Sequence, residues 1–223
     1  MKISGKPFRA IILMTGMIIC FSFSALSQPL AAWDFEGQVN TPFYTKMYIE
    51  AGAAVFGPTL GSIGYVAGNG STHAYTANNW SLGDIDYDKY IQFELGPEEG
   101  YMMTLVSFSF DHRRSGTGVT KWELRSSLDN FTSVLATNTI PDVTSWFTES
   151  GMFPAGFSEL TAAVTFRIYG FYAEAPTGTW RFDNVYFAGD VDEVPPVPLK
   201  NWGVILGIIF IVSLVVISYR RLI

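Results

Sequence analysis

The sequence predicts an all-β fold, a jelly-roll-like antiparallel β-sandwich, set between an N-terminal signal peptide and a C-terminal transmembrane helix. Three observations lead there. Apolar and polar residues alternate with period two through most of residues 28–189, so each segment offers one face to a core and one to water. Stretches rich in Gly, Pro, Asn and Ser separate those segments, as turns do in a many-stranded sheet. No good helix candidate interrupts the pattern; Ser158–Ala163 offers at most one turn.

In chain order, residues 1–27 read as a secretory signal. Lys2, Lys6 and Arg9 form its charged start and Ala10–Phe23 its apolar stretch. Ala25-Leu26-Ser27 supplies small residues for the export signal peptidase ahead of Gln28. Ala31–Phe35 is a short first strand, and Thr41–Ser81 should hold short strands and long loops. In Lys89–Leu95, Ile91, Phe93 and Leu95 point one way and Tyr90, Gln92 and Glu94 the other. In Met103–His112, Val106, Phe108 and Phe110 share the core face. Trp122 and Leu124 oppose Lys121, Glu123 and Arg125 in Thr120–Ser126. Phe166 and Ile168 point inward in Leu160–Tyr172, with Arg167 and Tyr169 outward. Thr177–Ala188 is the last strand, with Trp180, Phe182, Asn184 and Tyr186 on one face, and the first strand should lie near it.

Residues 190–201 form an acidic, Pro-rich linker, extended because proline fixes the backbone. Trp202–Ser218 carries no charge and as a helix spans about 25 Å, close to a bilayer's hydrocarbon core. Residues 202–219 are the expected membrane span, with Trp202 and Tyr219 at its interfaces. The basic tail 220–223 is expected in the cytoplasm before any processing.

The 223 residues carry a formal charge of −6, but six of the 14 basic residues lie in the two ends. All 20 acidic residues lie between, so the middle holds 8 basic residues and a formal −12. That excludes nucleic acid as a natural partner, since phosphates require clustered Lys and Arg. Cys20, the only cysteine, falls inside the signal, so disulfides do not staple the exported domain.

Catalytic signatures are missing. There is no Gly-x-Ser-x-Gly elbow, His73 and His112 are isolated, and no pair of carboxylates is marked for glycosidase chemistry. Asp84, Asp86 and Asp88 are spaced as in calcium loops, yet Lys89 stands where an EF-hand needs Gly and Leu95 where it needs Glu. The plainer reading is a solvated acidic loop. Arg113 and Arg114 form the one basic pair of the middle, either as sheet-surface ion pairs or as guanidinium groups gripping an acidic sugar or carboxylate. Trp80, Tyr87, Trp122, Trp146 and Tyr169 are candidates to stack on sugars. Core packing is the usual role of such rings, Trp122 shares a face with Leu124, and Trp146 is the better platform.

The run LVSFSFDHRRSGTGVTKWELRSSLDNF (Leu105–Phe131), with FRIYGFY (Phe166–Tyr172) and RFDNVYFAG (Arg181–Gly189), resembles a group of exported bacterial jelly-roll proteins. Their tails are typically sorting signals of the PEP-CTERM type. The tail here is similar in layout: Val197, Pro198 and Leu199, then Trp202 and Gly203, an apolar helix, and Arg220 and Arg221. It lacks the Pro-Glu-Pro of the best-known form. The resemblance implies an exosortase-like enzyme that recognises and removes the tail; the plainer alternative is a single-pass anchor. Carbohydrate-binding jelly rolls also resemble the arrangement of Asp34, Glu36 and Asp183, which implies a structural calcium near the paired termini. The alternative is that Asp183-Asn184 satisfies local backbone groups.

The sequence therefore predicts a non-enzymatic exported surface or extracellular-matrix protein in the cell envelope, membrane-tethered or sorted through its tail. A carbohydrate-binding module with a real glycan site is the second reading, and a secreted glycan hydrolase a distant third.

Overall fold

The computed structural model describes residues 28–196 and 201–220. The expected signal peptide, Val197, Pro198, Leu199 and Arg221 lie outside the described residues, as do the side chains of Trp202 and Arg220.

Alternating segments become strands wherever their apolar face finds a second sheet to bury it. The strands are β1 (Pro29–Trp33), β2 (Tyr44–Thr45), β3 (Ile49–Ala51), β4 (Val55–Phe56), β5 (Gly61–Val66), β6 (Ala74–Asn78) and β7 (Tyr90–Pro97). There follow β8 (Tyr101–Arg114), β9 (Lys121–Ser126), β10 (Ala136–Thr139), β11 (Phe147–Met152), β12 (Val164–Phe171) and β13 (Trp180–Glu193). A seven-stranded sheet runs β11-β8-β13-β1-β2, with β6 also on β13 and β5 on β6. A six-stranded sheet runs β10-β9-β12-β7-β3, with β4 also on β7. All the pairings are antiparallel, and the two sheets face each other as a jelly-roll-like sandwich.

The core is aromatic. Trp33 meets Phe93 edge-on at 5.0 Å, Trp80 meets Trp180 at 5.1 Å, and Phe166 stacks on Phe187 at 4.7 Å. Such contacts add to the area these rings bury, which suits a domain that holds no cysteine from residue 28 on. His112 is fully buried among them. Its Nδ1 accepts the Trp180 indole N–H at 3.0 Å, which leaves Nε2 to face Glu149 at 3.4 Å. Burial opposes ionisation of Glu149, but hydrogen bonds from His112 and Asn138 outweigh it and hold the carboxyl below its usual range.

The expected faces of β7 and β9 hold, as does that of β12 as far as Ile168, and β1 pairs with β13; Tyr169, expected outward, is fully buried because Tyr87 and Tyr90 pack over it. Several boundaries and two faces are corrected. The first strand begins at Pro29 and ends at Trp33, because Phe35 adopts a left-handed turn with φ 57°. The last strand runs to Glu193, through the start of the expected linker, because β8 reaches back to Tyr101 and pairs with it. A bulge between Asp183 and Tyr186, with Asn184 at φ 46°, inserts one extra residue. Val185 and Phe187, rather than Asn184 and Tyr186, therefore continue the buried face of Trp180 and Phe182. A second bulge at Val106 makes Met103 and Leu105 the inward residues there. Ser158–Ala163 forms no helical turn; the short 3₁₀ turns are Glu36–Gln38, Ser127–Asp129 and Ala155–Phe157.

The helix α1 (Asn201–Arg220) is 20 residues long. Its side chains are described without a break over 203–215, about 20 Å of helix. Among the described residues no helix is long and apolar enough to cross a membrane.

Candidate functional site

The outer face of the six-stranded sheet is built by the polar halves of three alternating strands. β12 contributes Thr165, Arg167 and Tyr169; across from them β7 places Glu94, Gln92 and Tyr90, and β9 places Arg125 and Glu123 beside Arg167 and Tyr169. The Arg167 guanidinium lies 4.1 Å from the centre of the Tyr90 ring and 4.2 Å from that of Phe131, and its Nε donates to Gln92 Oε1 at 2.9 Å. Arg125 grips Glu123 Oε2 at 2.6 Å, and its Nη1 donates to the Phe131 and Thr132 carbonyls. These bonds lock the side chains of the face, since each guanidinium has lost its freedom to a ring or an acceptor.

Tyr169 is fully buried beneath this surface, with Tyr87 and Tyr90 edge-on to it at 5.7 Å each. Its hydroxyl is buried and has no hydrogen-bond partner among the described residues. Burial pushes this phenol up from its usual range, against smaller opposing effects of Arg167. Tyr87 is 54% exposed and Tyr172 38% exposed at the margin, with Lys121 Nζ 5.2 Å from the Tyr172 ring centre. The surface thus offers ring faces, two fixed cations and several hydrogen-bonding groups side by side.

The residues singled out in the sequence are distributed differently. Trp80 and Trp122 are core, as the face Trp122 shares with Leu124 indicated for the second of them. Trp146 is half-buried just ahead of β11, on the other sheet. Arg114 is corrected from a candidate ligand-binding residue to a buried one. It is 1% exposed, with Glu174 at 2.9 Å, Asp142 at 3.6 Å and the Ser115 and Gly116 carbonyls as partners. Arg113 points the other way, to the outer face of the seven-stranded sheet, because neighbours on a strand alternate.

Asp34, Glu36 and Asp183 act on one loop and its approach. Glu36 Oε1 accepts from the Thr72 backbone N–H at 2.6 Å and that of His73 at 3.3 Å, and Oε2 accepts from the Thr72 hydroxyl. The Thr72 hydroxyl hydrogen bond, opposed by partial desolvation and helped by the backbone donors, lowers the Glu36 carboxyl to about 2. Asp34 Oδ1 accepts from the Glu36 backbone N–H at 3.1 Å. Asp183 is fully buried; its Oδ2 accepts from the Asn69 backbone N–H at 2.7 Å and the Ser71 hydroxyl at 2.5 Å. Burial raises the Asp183 carboxyl despite those donors. The loop 68–73 fits so closely that a Cβ on Gly68 would stand 2.4 Å from Asp183 Oδ2.

Asp84, Asp86 and Asp88 do not converge. Asp84 meets the Tyr172 hydroxyl, Asp86 Oδ1 accepts from the Asp88 backbone N–H at 3.0 Å, and Asp86 lies 4.0 Å from Lys89. Among the described residues no group of three His, Cys, Asp or Glu is placed to share a metal ion.

No family model and no curated protein matches the chain. Solved structures do, at low identity. The K3 cleaved adhesin domain of Lys-gingipain from Porphyromonas gingivalis W83 aligns over 72% of this chain and 98% of its own at 13% identity, with a TM-score of 0.44. The C-terminal family 22 carbohydrate binding module of Clostridium thermocellum Xyn10B aligns over 74% and 96% at 10% identity, TM-score 0.47. CBM27-1 of Caldicellulosiruptor saccharolyticus, solved with mannohexaose, aligns over 73% and 98% at 12% identity, TM-score 0.41.

Proposed function

We propose that the chain is a non-catalytic, exported β-sandwich that binds a glycan on the outer face of its six-stranded sheet. The observation that carries this reading is the row of tyrosine rings and immobilised guanidinium groups along that face, with Tyr87 54% exposed at its margin. Ring faces pack on the C–H surfaces of sugars, while Gln92, Glu94 and Glu123 are suited to their hydroxyls. The test is a glycan array probed with the full chain in detergent micelles. A specific hit that weakens at least tenfold in Tyr90→Ala is expected, since that change removes the ring beneath Arg167. An array without specific hits defeats the reading.

Export and retention enter as proposals from the sequence. They rest on the apolar stretch of residues 1–27 and the uncharged stretch Trp202–Ser218, whose described side chains are exposed and apolar around the helix. Removal of the tail by a sorting enzyme follows from the resemblance of its layout. Calcium near Asp34, Glu36 and Asp183 rests on the resemblance alone, since the Glu36 and Asp183 oxygens already accept hydrogen bonds from the loop 68–73. Millimolar calcium is then expected to raise the thermal midpoint of the full chain and EDTA to reverse the gain; an unchanged midpoint removes the ion.

A further inference from the structure

On the outer face of the seven-stranded sheet, Arg113 of β8 and Arg181 of β13 are directly opposite each other. Two residues along, Asp111 and Asp183 are also opposite each other. Like charges facing across a ladder destabilise it. Exchanging one Arg and one Asp within either strand would turn two repulsions into two attractions; the bonds made by Asp111 and Asp183 fix the aspartates in place, but nothing in them requires an arginine at both 113 and 181.

The aspartates do not neutralise the arginines. Asp111 accepts from the Asn69 and Asn184 amides at 3.0 and 2.9 Å and from the Thr148 hydroxyl at 2.5 Å. Asp183 is taken up by the loop 68–73 and by the Asn184 backbone N–H at 2.9 Å. Among the described residues neither Arg113 nor Arg181 makes an ion pair or a side-chain hydrogen bond, and Arg181 Nε is buried without any partner. Desolvation, followed by the neighbouring Arg113, lowers the Arg181 guanidinium from its usual range.

The surroundings narrow what could relieve the pair. Thr76 of β6 flanks Arg181, and its hydroxyl already donates to the Trp180 carbonyl at 3.1 Å. On the other side β11 pairs Phe147 with His112, and Trp146 stands one residue ahead of that pair, outside the strand. Two guanidinium forks therefore face each other on one row, and a half-buried indole precedes the neighbouring strand. Planar forks match a carboxylate bidentately, and an indole packs on a sugar ring.

We propose that Arg113 and Arg181 bind the carboxylate of a hexuronate residue in an acidic polysaccharide, with Trp146 beside its ring. This deepens the glycan-binding reading and rests on it, but places a second, anionic subsite on the opposite sheet. It also puts the sequence's basic pair in new company: Arg113 acts with Arg181, not with Arg114.

The test titrates tetragalacturonate, neutral galactotetraose and inorganic sulfate into the full chain in detergent micelles by calorimetry. Tetragalacturonate is expected to bind, and Arg113→Gln or Arg181→Gln to weaken it at least tenfold, with neutral-glycan binding unchanged. Arg113→Lys is expected to weaken it too, because the charge stays and the fork is lost. Each Gln variant is expected to melt no lower than wild type, since it removes a repulsion; a clear fall marks the pair as structural and overturns the proposal. Gln variants within twofold of wild type overturn it, as does sulfate displacing the sugar at equal concentration. Tetragalacturonate binding lost only in Tyr90→Ala overturns the second subsite and leaves the six-stranded-sheet reading standing. Absence of binding by any glycan defeats both.

Discussion

Glu36 holds the loop 68–73 through both carboxylate oxygens, and only the ionised form can accept all of those bonds. Its folded value of about 2 lies below the ordinary 4.5, so its contribution to stability is complete above about pH 4.5 and lost as pH falls through about 2. The thermal midpoint of wild type is therefore expected to fall steeply in that window, and that of Glu36→Gln to fall less; circular dichroism from pH 5 to 2 measures both. At this scale the sequence was only partly legible. Asp34, Glu36 and Asp183 were recognisable as a set near the paired termini, but nothing in their spacing shows that the partner is a backbone loop 36 residues beyond Glu36. Arg113 and Arg114 looked alike as a basic pair. Their difference is one of parity on a strand, which sends Arg114 to Glu174 inside and Arg113 outside. Arg181 carried no signal, because its significance is the residue opposite it.

Among the elements, β7, β9 and β12 as far as Ile168 were readable because nothing disturbs their alternation there, and they supply the face proposed to bind glycan. β13 misled because a bulge shifts its parity at Asn184, and a bulge is set by the partner strand rather than by local sequence. β12 has one further requirement. Gly170 faces inward, where an added Cβ would stand 2.8 Å from the Trp180 ring and 2.9 Å from that of Trp80. Overfilling a packed core costs about 1–3 kcal/mol, so Gly170→Ala is expected to lose that much in urea unfolding. Unchanged stability would mean that the two tryptophans can part, and that the inner wall behind the Tyr169 face is softer than its packing indicates.

For the whole molecule, the expected sandwich and its paired termini are present, and the charge of the middle keeps nucleic acid an improbable ligand. The sorting reading makes its own prediction. Protein extracted from the cell surface is expected to have an intact mass lacking Gly203–Ile223; a retained tail would make the helix a plain anchor. The order of the strands adds a constraint on assembly. β13 touches β1, β6 and β8, so the strand that knits the larger sheet together is the last one made. Until β13 emerges, only the β1–β2, β5–β6 and β8–β11 pairs of that sheet can form, and nothing joins them over the hydrophobic interior. A polypeptide wired this way can close its larger sheet only once nearly all of it has been made.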